Sequence, residues 1–585
     1  MLIFMKRLAW DHGLTRAVLA EYPRAHISSP RDDEPSASLP RPRAVSLPHD
    51  KGAVCPDPPW RQVAQPLPDR PRRFDLSATL WQNRPTGRRM RFSFRHIDRW
   101  PPLAWLARCL KGSDTCQVQH GDRVEIRRDW FCEAVWPDEF ENGGFDRTDL
   151  VAGSGARIRD DRVIFVSSGN TVDRLLWLDT PNEAFVSNSL ACLIAASGVL
   201  IDESYPHFYE DFSSIMKGLH QYKRTISTNA GDIGIQIFDN IEWNGRTLAT
   251  RIKELQPRDF GNFSNYEAFL LHNLGELSRN ISSAGRQHKY RFLATISAGY
   301  DSPSVAALAK RVGCTEALCI DRDRFGEEEK GDVVARSLGM QTTVIPRDSW
   351  RELDGAEIPF LAADGDAESV PLATAHSRLE GAVLLTGYHG DKMWAKHTKD
   401  LSDNIVRGDH GGLSLTEFRL WAGFIHCPIT FWGVRQIRDL NRISNSDEMR
   451  PWDVGEDYSR PIPRRIVEGA GVPRGLFGTA KRASAVGHTE ALSPHSLEAY
   501  KAWLGRRRMV WIRRGRIPPL LSDRYEDLSQ SVRHTVHECL KRLPVLWRLA
   551  ADDALESPSH LRRYVFAWAL SILIERYRAG LQGPE

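Results

Sequence analysis

The sequence predicts two domains in series, a mainly β domain over residues 74–252 and a doubly wound α/β domain with a parallel sheet over 253–585. Three observations carry that expectation. A chain of 585 residues exceeds what one hydrophobic core ordinarily serves. Short alternating or apolar runs bounded by Gly, Asn and Asp fill the first stretch, which is a strand and hairpin pattern. From Asn265 the apolar period lengthens to a helical one, and helix and strand then alternate, as they do around parallel sheets.

Residues 1–28 hold a short apolar run without a small-residue cleavage site, and read as a helical segment rather than a secretion signal. Residues 29–73 are dominated by Pro, Arg, Ser and Asp. Prolines at that density remove backbone donors and forbid helix interiors, so a disordered or extended linker is expected. RFSFRHI, DRVEIRR, RVIFVSS, LLWLD and AFVSN supply strands, and SNSLACLIAASG a helix closed by Gly198. Further on, YEAFLLHNLGELSRNI is a helix and 292–296 a buried parallel strand. PSVAALAKRVG is a helix, EALCI a strand, EEEKGDVVARSLG a charged helix and TTVIP a strand. Past Gly412 the pattern is mostly helical. The apolar stretch 564–574 is about half the ~20 residues of a membrane span and predicts a buried helix.

A formal charge of +4, with 26% charged and 41% hydrophobic residues, points to no nucleic-acid or membrane partner. Nine scattered cysteines without a C-x-x-C pair suggest neither a disulfide framework nor a zinc site, and a reducing cytoplasm is the expected compartment. GRRRMVWIRRGR places six arginines in twelve residues; the near-neutral total favours a solvated or domain-packed helix face over an RNA surface. The histidines show no metal-ligand spacing, and His389 and His426 are site candidates by position alone. Oligomeric state is not legible.

The chemistry concentrates in three motifs. In Ser297-Ala298-Gly299-Tyr300-Asp301-Ser302-Pro303, a turn after an apolar strand leads into a helix, whose N-terminus attracts anions. Gly299 is expected to take positive φ and admit phosphate, Ser297 and Ser302 to donate hydroxyls, Ser302 to cap the helix and Pro303 to start it. An aspartate in an anion loop makes sense as a magnesium ligand, which singles out Asp301. An ordinary capped β-to-α turn is the plain alternative.

The loop resembles the S-G-G-x-D-S pyrophosphate loop of the asparagine synthetases and other N-type ATP pyrophosphatases, with Ala298 replacing the first glycine. About ninety residues on, AVLLTGYHGDKMWA repeats a strand and a Gly-rich turn with an acid. It is similar to the family's G-E-G-x-D-E segment through Thr386, Gly387, Gly390 and Asp391. If 382–385 lies beside the first strand, Asp391 joins Asp301 at one Mg2+. Tyr388 replaces the family's glutamate and Lys392 its following acid. A tyrosine there resembles β-lactam and carbapenam synthetases, where a Tyr and Glu pair helps deprotonate an amine, and Glu417 is the candidate partner, with a helix-surface salt bridge as its alternative. In RPIPRRIVEGAGVPRGLFGTAKRASAVG, a helix from near Pro463 closes at Gly469 or Gly471 and precedes Lys481. Lys481 matches the catalytic lysine of the family's K-x-x-L-R-x-A…R-x-K pattern, placed to offset transition-state charge.

The resemblance spans about two-fifths of the chain. It implies an ATP-pyrophosphatase domain that binds ATP and Mg2+, with Ile296, Ile320, Thr386 and Gly387 contributing to the nucleotide site. The stretch 162–198 weakly resembles the end of the family's glutaminase domain. That domain needs an N-terminal cysteine, whereas Leu2 follows Met1 and the first cysteine is Cys55, so a degenerate N-terminal-nucleophile domain without amidase activity is implied. The expected activity is adenylation of a small-molecule or peptide carboxylate and transfer of the acyl group to an amine. Asparagine synthesis from glutamine or ammonia, a tRNA-modifying pyrophosphatase and an inactive nucleotide-binding scaffold are the alternatives.

Overall fold

The computed structural model describes residues 89–455, 458–479, 485–486, 492–514 and 563–582. The expected N-terminal helix, the proline-rich linker and Lys481 lie outside them.

The first region is mainly β. Its strands are β1 (Arg91–His96), β2 (Trp105–Leu110), β3 (Thr115–His120), β4 (Glu125–Ile126), β5 (Trp130–Val135), β6 (Ala152–Arg159), β7 (Arg162–Val166), β8 (Leu175–Asp179), β9 (Glu183–Ser187), β10 (Thr225–Thr228), β11 (Gly231–Gln236), β12 (Asn240–Trp243) and β13 (Leu248–Arg251). They form two sheets, in the orders β1-β3-β2-β9-β8-β11-β10 and β13-β12-β7-β6-β5-β4. Apart from the parallel β1 and β3, neighbours run antiparallel. Alternation puts Trp105, Val118 and Val186 of one sheet against Phe131, Phe165 and Trp243 of the other, which makes a sandwich core. The outer face of the seven-stranded sheet packs Leu106, Leu178 and Phe185 against the helix Leu190–Ser197, which Ser189 caps and Gly198 closes at φ 73°.

The second region is α/β. After the helix Phe263–Ser282 come β14 (Arg291–Thr295), β15 (Glu316–Ile320), β16 (Gln341–Ile345), β17 (Ala382–Thr386) and β18 (Ile425–Pro428). All pair in parallel, in the order β16-β15-β14-β17-β18. Counted within the sheet this is 3-2-1-4-5, an order that reverses between β14 and β17. Two differences from the sequence reading have local causes. β18 is four residues long and fully buried, too short for any period to show within a largely helical stretch. The charged helix covers only Gly331–Ser337, because 321–329 closes on itself as a small hairpin through Asp323.

Charged groups lock the regions together. Arg419 on the helix Leu415–Ala422 donates to Glu133 at 2.6 and 3.1 Å and to Asp173 at 2.8 Å, all three side chains being buried. The helix Val565–Leu581 packs on Leu190–Ser197, and its Tyr577 carbonyl accepts from Trp100 Nε1. Residues 505–513 of the arginine-rich stretch lie in the helix Pro494–Arg513, where Arg507 pairs with Glu203 of the first region. No helix among the described residues is long and apolar enough to cross a membrane.

Candidate functional site

β14 ends at Thr295, and the chain turns through 296–300 into the helix Asp301–Arg311. Asp301 is its first residue. Tyr300 occupies the cap position, and Ser302 and Pro303 fall inside the first turn rather than at the cap and the start. Gly299 does not take the expected positive φ; it supplies room, since a Cβ there would lie 3.3 Å from Ser297 Oγ. The loop is tied to itself and its neighbours. Ser297 and Ser302 hydroxyls hydrogen-bond at 2.7 Å, and the Gly299 N–H donates to Ser297 Oγ. The Ala298 N–H donates to Glu329 Oε1 at 2.5 Å, and the Ala298 carbonyl accepts from the Gly478 N–H.

β17 lies against β14, with Arg291 opposite Ala382 and Ala294 opposite Leu385, so the two motif loops leave the sheet side by side where its strand order reverses. Only glycine fits between them. A Cβ on Gly387 would approach the Asp301 carbonyl carbon to 2.6 Å, and one on Gly390 would approach Asp301 Cγ to 2.7 Å. Asp391 follows directly, with the Gly408 backbone against its carboxylate. The sequence reading missed the residue that pairs with Asp301. Buried Arg460, just ahead of the helix Pro461–Gly469, donates through Nη1 to both Asp301 oxygens at 2.7 and 2.5 Å. Burial opposes its charge, but Asp301 above all, then Tyr458 and Asp391, outweigh burial and hold its pKa above the ordinary value. A basic residue before a helix-starting proline was the one signal for it.

On the other side of this turn stands Tyr388. Its ring is flanked by Gly411 and Gly412, where a Cβ would come within 2.5 and 3.1 Å of ring carbons, and by His426 edge-on at 5.5 Å. Its hydroxyl lies 3.3 Å from Ser369 Oγ. Burial, and next the Glu368 carboxylate, push the phenol up. Glu368 is itself raised well above the carboxylate range by burial and by Asp366 and Asp409. Buried Arg407 donates to the Thr171 carbonyl at 3.4 Å and to the Gly411 carbonyl, with Asp409, Glu368 and Asp391 as its counter-charges. Asp366, Glu368 and His410 bring ligand atoms within 4.8 Å of one another.

Glu417 is elsewhere. Its two oxygens accept from Ser189 Oγ at 2.9 Å and from the Leu190 N–H at 3.1 Å, so it holds the start of a helix in the β region rather than partnering Tyr388. Burial pushes it up to about 7. Among the described carboxylates, Glu368 and then Asp409 act on the Tyr388 phenol. The acidic run ADGDAESV was the available signal, but nothing in spacing brings residue 368 to residue 388. His389 is buried at φ 73°, stacks on Phe431 at 4.7 Å, and is held neutral with a pKa of about 3 by burial and the nearby Arg407. His426 Nε2 hydrogen-bonds Thr386 Oγ1 at 2.8 Å, and burial takes it down to about 4. Ile296 is buried and donates its N–H to the Leu318 carbonyl, while Ile320 ends β15 beside Ile345.

The arrangement is therefore a helix N-terminus that begins with a carboxylate paired to an arginine, a second carboxylate on the glycine turn packed against it, and a tyrosine in the field of an acidic cluster, at the carboxyl end of a parallel sheet. No protein-family model matches the chain, and no curated protein matches it.

Proposed function

We propose that this chain is an ATP-dependent carbon–nitrogen ligase, similar to the asparagine synthetases, that adenylates a substrate carboxylate and passes the acyl group to an amine. The observation that carries the reading is the packing of Gly387 and Gly390 onto Asp301, which joins the two motif loops at the reversal point where open α/β sheets bind ligands. Asp301 and Asp391 are hard oxygen donors that suit Mg2+ together with phosphate oxygens, and Arg460 gives the same anions a fixed positive partner. When bound, ATP and Mg2+ supply the activated phosphorus and neutralise the departing pyrophosphate. The helix N-terminus at Asp301, with Ser297 and Ser302, orients the phosphates. Tyr388 and Glu368 together hold and move the proton of the attacking amine, the phenol relaying it to the carboxylate. Lys481 is assigned transition-state charge stabilisation from the motif alone.

Incorporation of labelled pyrophosphate into ATP, dependent on an added carboxylic acid, tests this directly. Asp301→Ala should abolish it; exchange in neither protein with any acid, and no ATP binding, would refute the ligase. A scaffold that binds nucleotide without turnover is the second reading, favoured by the Arg460 ion pair on Asp301 and by Ala298 and Lys392 at motif positions. The β region lends itself to structural support without amidase function, so glutamine should remain intact in active enzyme.

A further inference from the structure

Between β15 and the helix Gly331–Ser337 the chain makes a hairpin over 321–329 that none of the three motifs includes. Its base is fixed on both sides of the mouth. The Asp321 N–H donates to the Ile345 carbonyl, the Arg347 N–H donates to Asp321 Oδ1, and Glu329 accepts from the Ala298 N–H of the phosphate loop. Its turn is rigidly specified, because buried Asp323 accepts from the Phe325 and Glu327 N–H groups and Gly326 takes φ 84°. At the tip, where burial would normally be sought, stands Phe325 at 71% exposure, with the Arg324 guanidinium 4.8 Å from its ring centre. Arg322, Arg324, Glu327 and Glu328 around it are all exposed.

Phe325 is thus an aromatic ring held out on an ordered arm. Its root holds the Ala298 N–H through Glu329, so a phosphate that took this N–H would displace a contact at the base of the arm. We propose that 321–329 is a base flap and that Phe325 covers the purine of a nucleotide whose phosphates lie on the Ser297–Ser302 loop. The proposal rests on the ATP reading above and adds a specificity-determining residue to it. Phe325 supplies stacking, and Arg324 keeps the ring oriented and adds a cation to the stack.

The test uses the full chain with Phe325→Ala and Phe325→Trp, both at an exposed position and so without a folding penalty, which melting curves verify. In carboxylate-dependent pyrophosphate exchange, Phe325→Ala should raise the KM for ATP by about 5- to 100-fold, the range of one lost base stack, with kcat little changed. Inhibition by inorganic tripolyphosphate, which has no base, should be unaltered. Phe325→Trp should restore the KM, and adenine nucleotides should quench its fluorescence whereas tripolyphosphate should not. An ATP KM within about threefold of wild type in Phe325→Ala, or an equal loss of tripolyphosphate inhibition, overturns the flap while leaving the ligase reading intact. A wild type that binds no adenine nucleotide overturns both.

Discussion

The two loops at the mouth of the parallel sheet are made by different means. The first, 296–303, takes its shape from its own residues, with small side chains, an internal hydroxyl pair and a helix start, and distant segments tie it down at Ala298 and Asp301. The second, 386–392, takes its character from distant segments. Tyr388 meets Ser369 and Gly411 and lies in the field of Glu368, while the Gly408 backbone lies on Asp391. Phosphate binding needs backbone N–H groups and room, which a short local sequence supplies. Handling an amine proton needs a particular carboxylate near a particular phenol, and only tertiary packing provides that.

The comparison breaks most sharply at the acids. Asp301→Ala should lower carboxylate-dependent exchange by about 1,000-fold or more, since it removes both the proposed metal ligand and the partner of Arg460. Glu368→Gln should act only on the other half. Amide formation falls by about 100- to 10,000-fold in steady-state assays, whereas pyrophosphate exchange stays within about tenfold. The pH profile adds a sign. Glu368 must be ionised to accept a proton and its pKa is raised, so wild-type acyl transfer climbs as pH rises through that pKa. The Gln variant should lose the climb. Equal loss of both partial reactions would merge the two halves.

Gly390→Ala probes the seam between them. The added methyl, 2.7 Å from Asp301 Cγ, should cost about 1–3 kcal/mol by denaturant titration and depress both partial reactions.

How much of this was legible follows from the same contrast. The alternation of strand and helix could be read because it depends on local period, whereas the adjacency of β14 and β17, which the structure shows, entered the sequence reading only as a condition suggested by the resemblance. Glu368, Arg407 and Arg460 could not, because their roles come from chain segments far from the motifs they serve. Glu417 was drawn to Tyr388 by its motif-like position, yet it carries out a capping task for the neighbouring region. β18 was hidden by its length and the hairpin by its charge.

The smallest effect expected is at that residue. Glu417→Gln should leave both partial reactions near wild type. Its folded pKa of about 7 lies above that of an unfolded carboxylate, so the stability it contributes is full at low pH, declines as pH rises through 7, and changes no further above it. The Gln variant should therefore lose less melting temperature than wild type between about pH 5 and 8, a difference on the order of 1–3 kcal/mol.

That Asp301 and Asp391 serve one site is the central claim, and Mn2+ binding followed by electron paramagnetic resonance in the presence of ATP tests it most directly. The wild type should show a single class of tightly held ion, lost in Asp301→Asn and lost equally in Asp391→Asn. Retention of wild-type Mn2+ affinity in Asp391→Asn would contradict it.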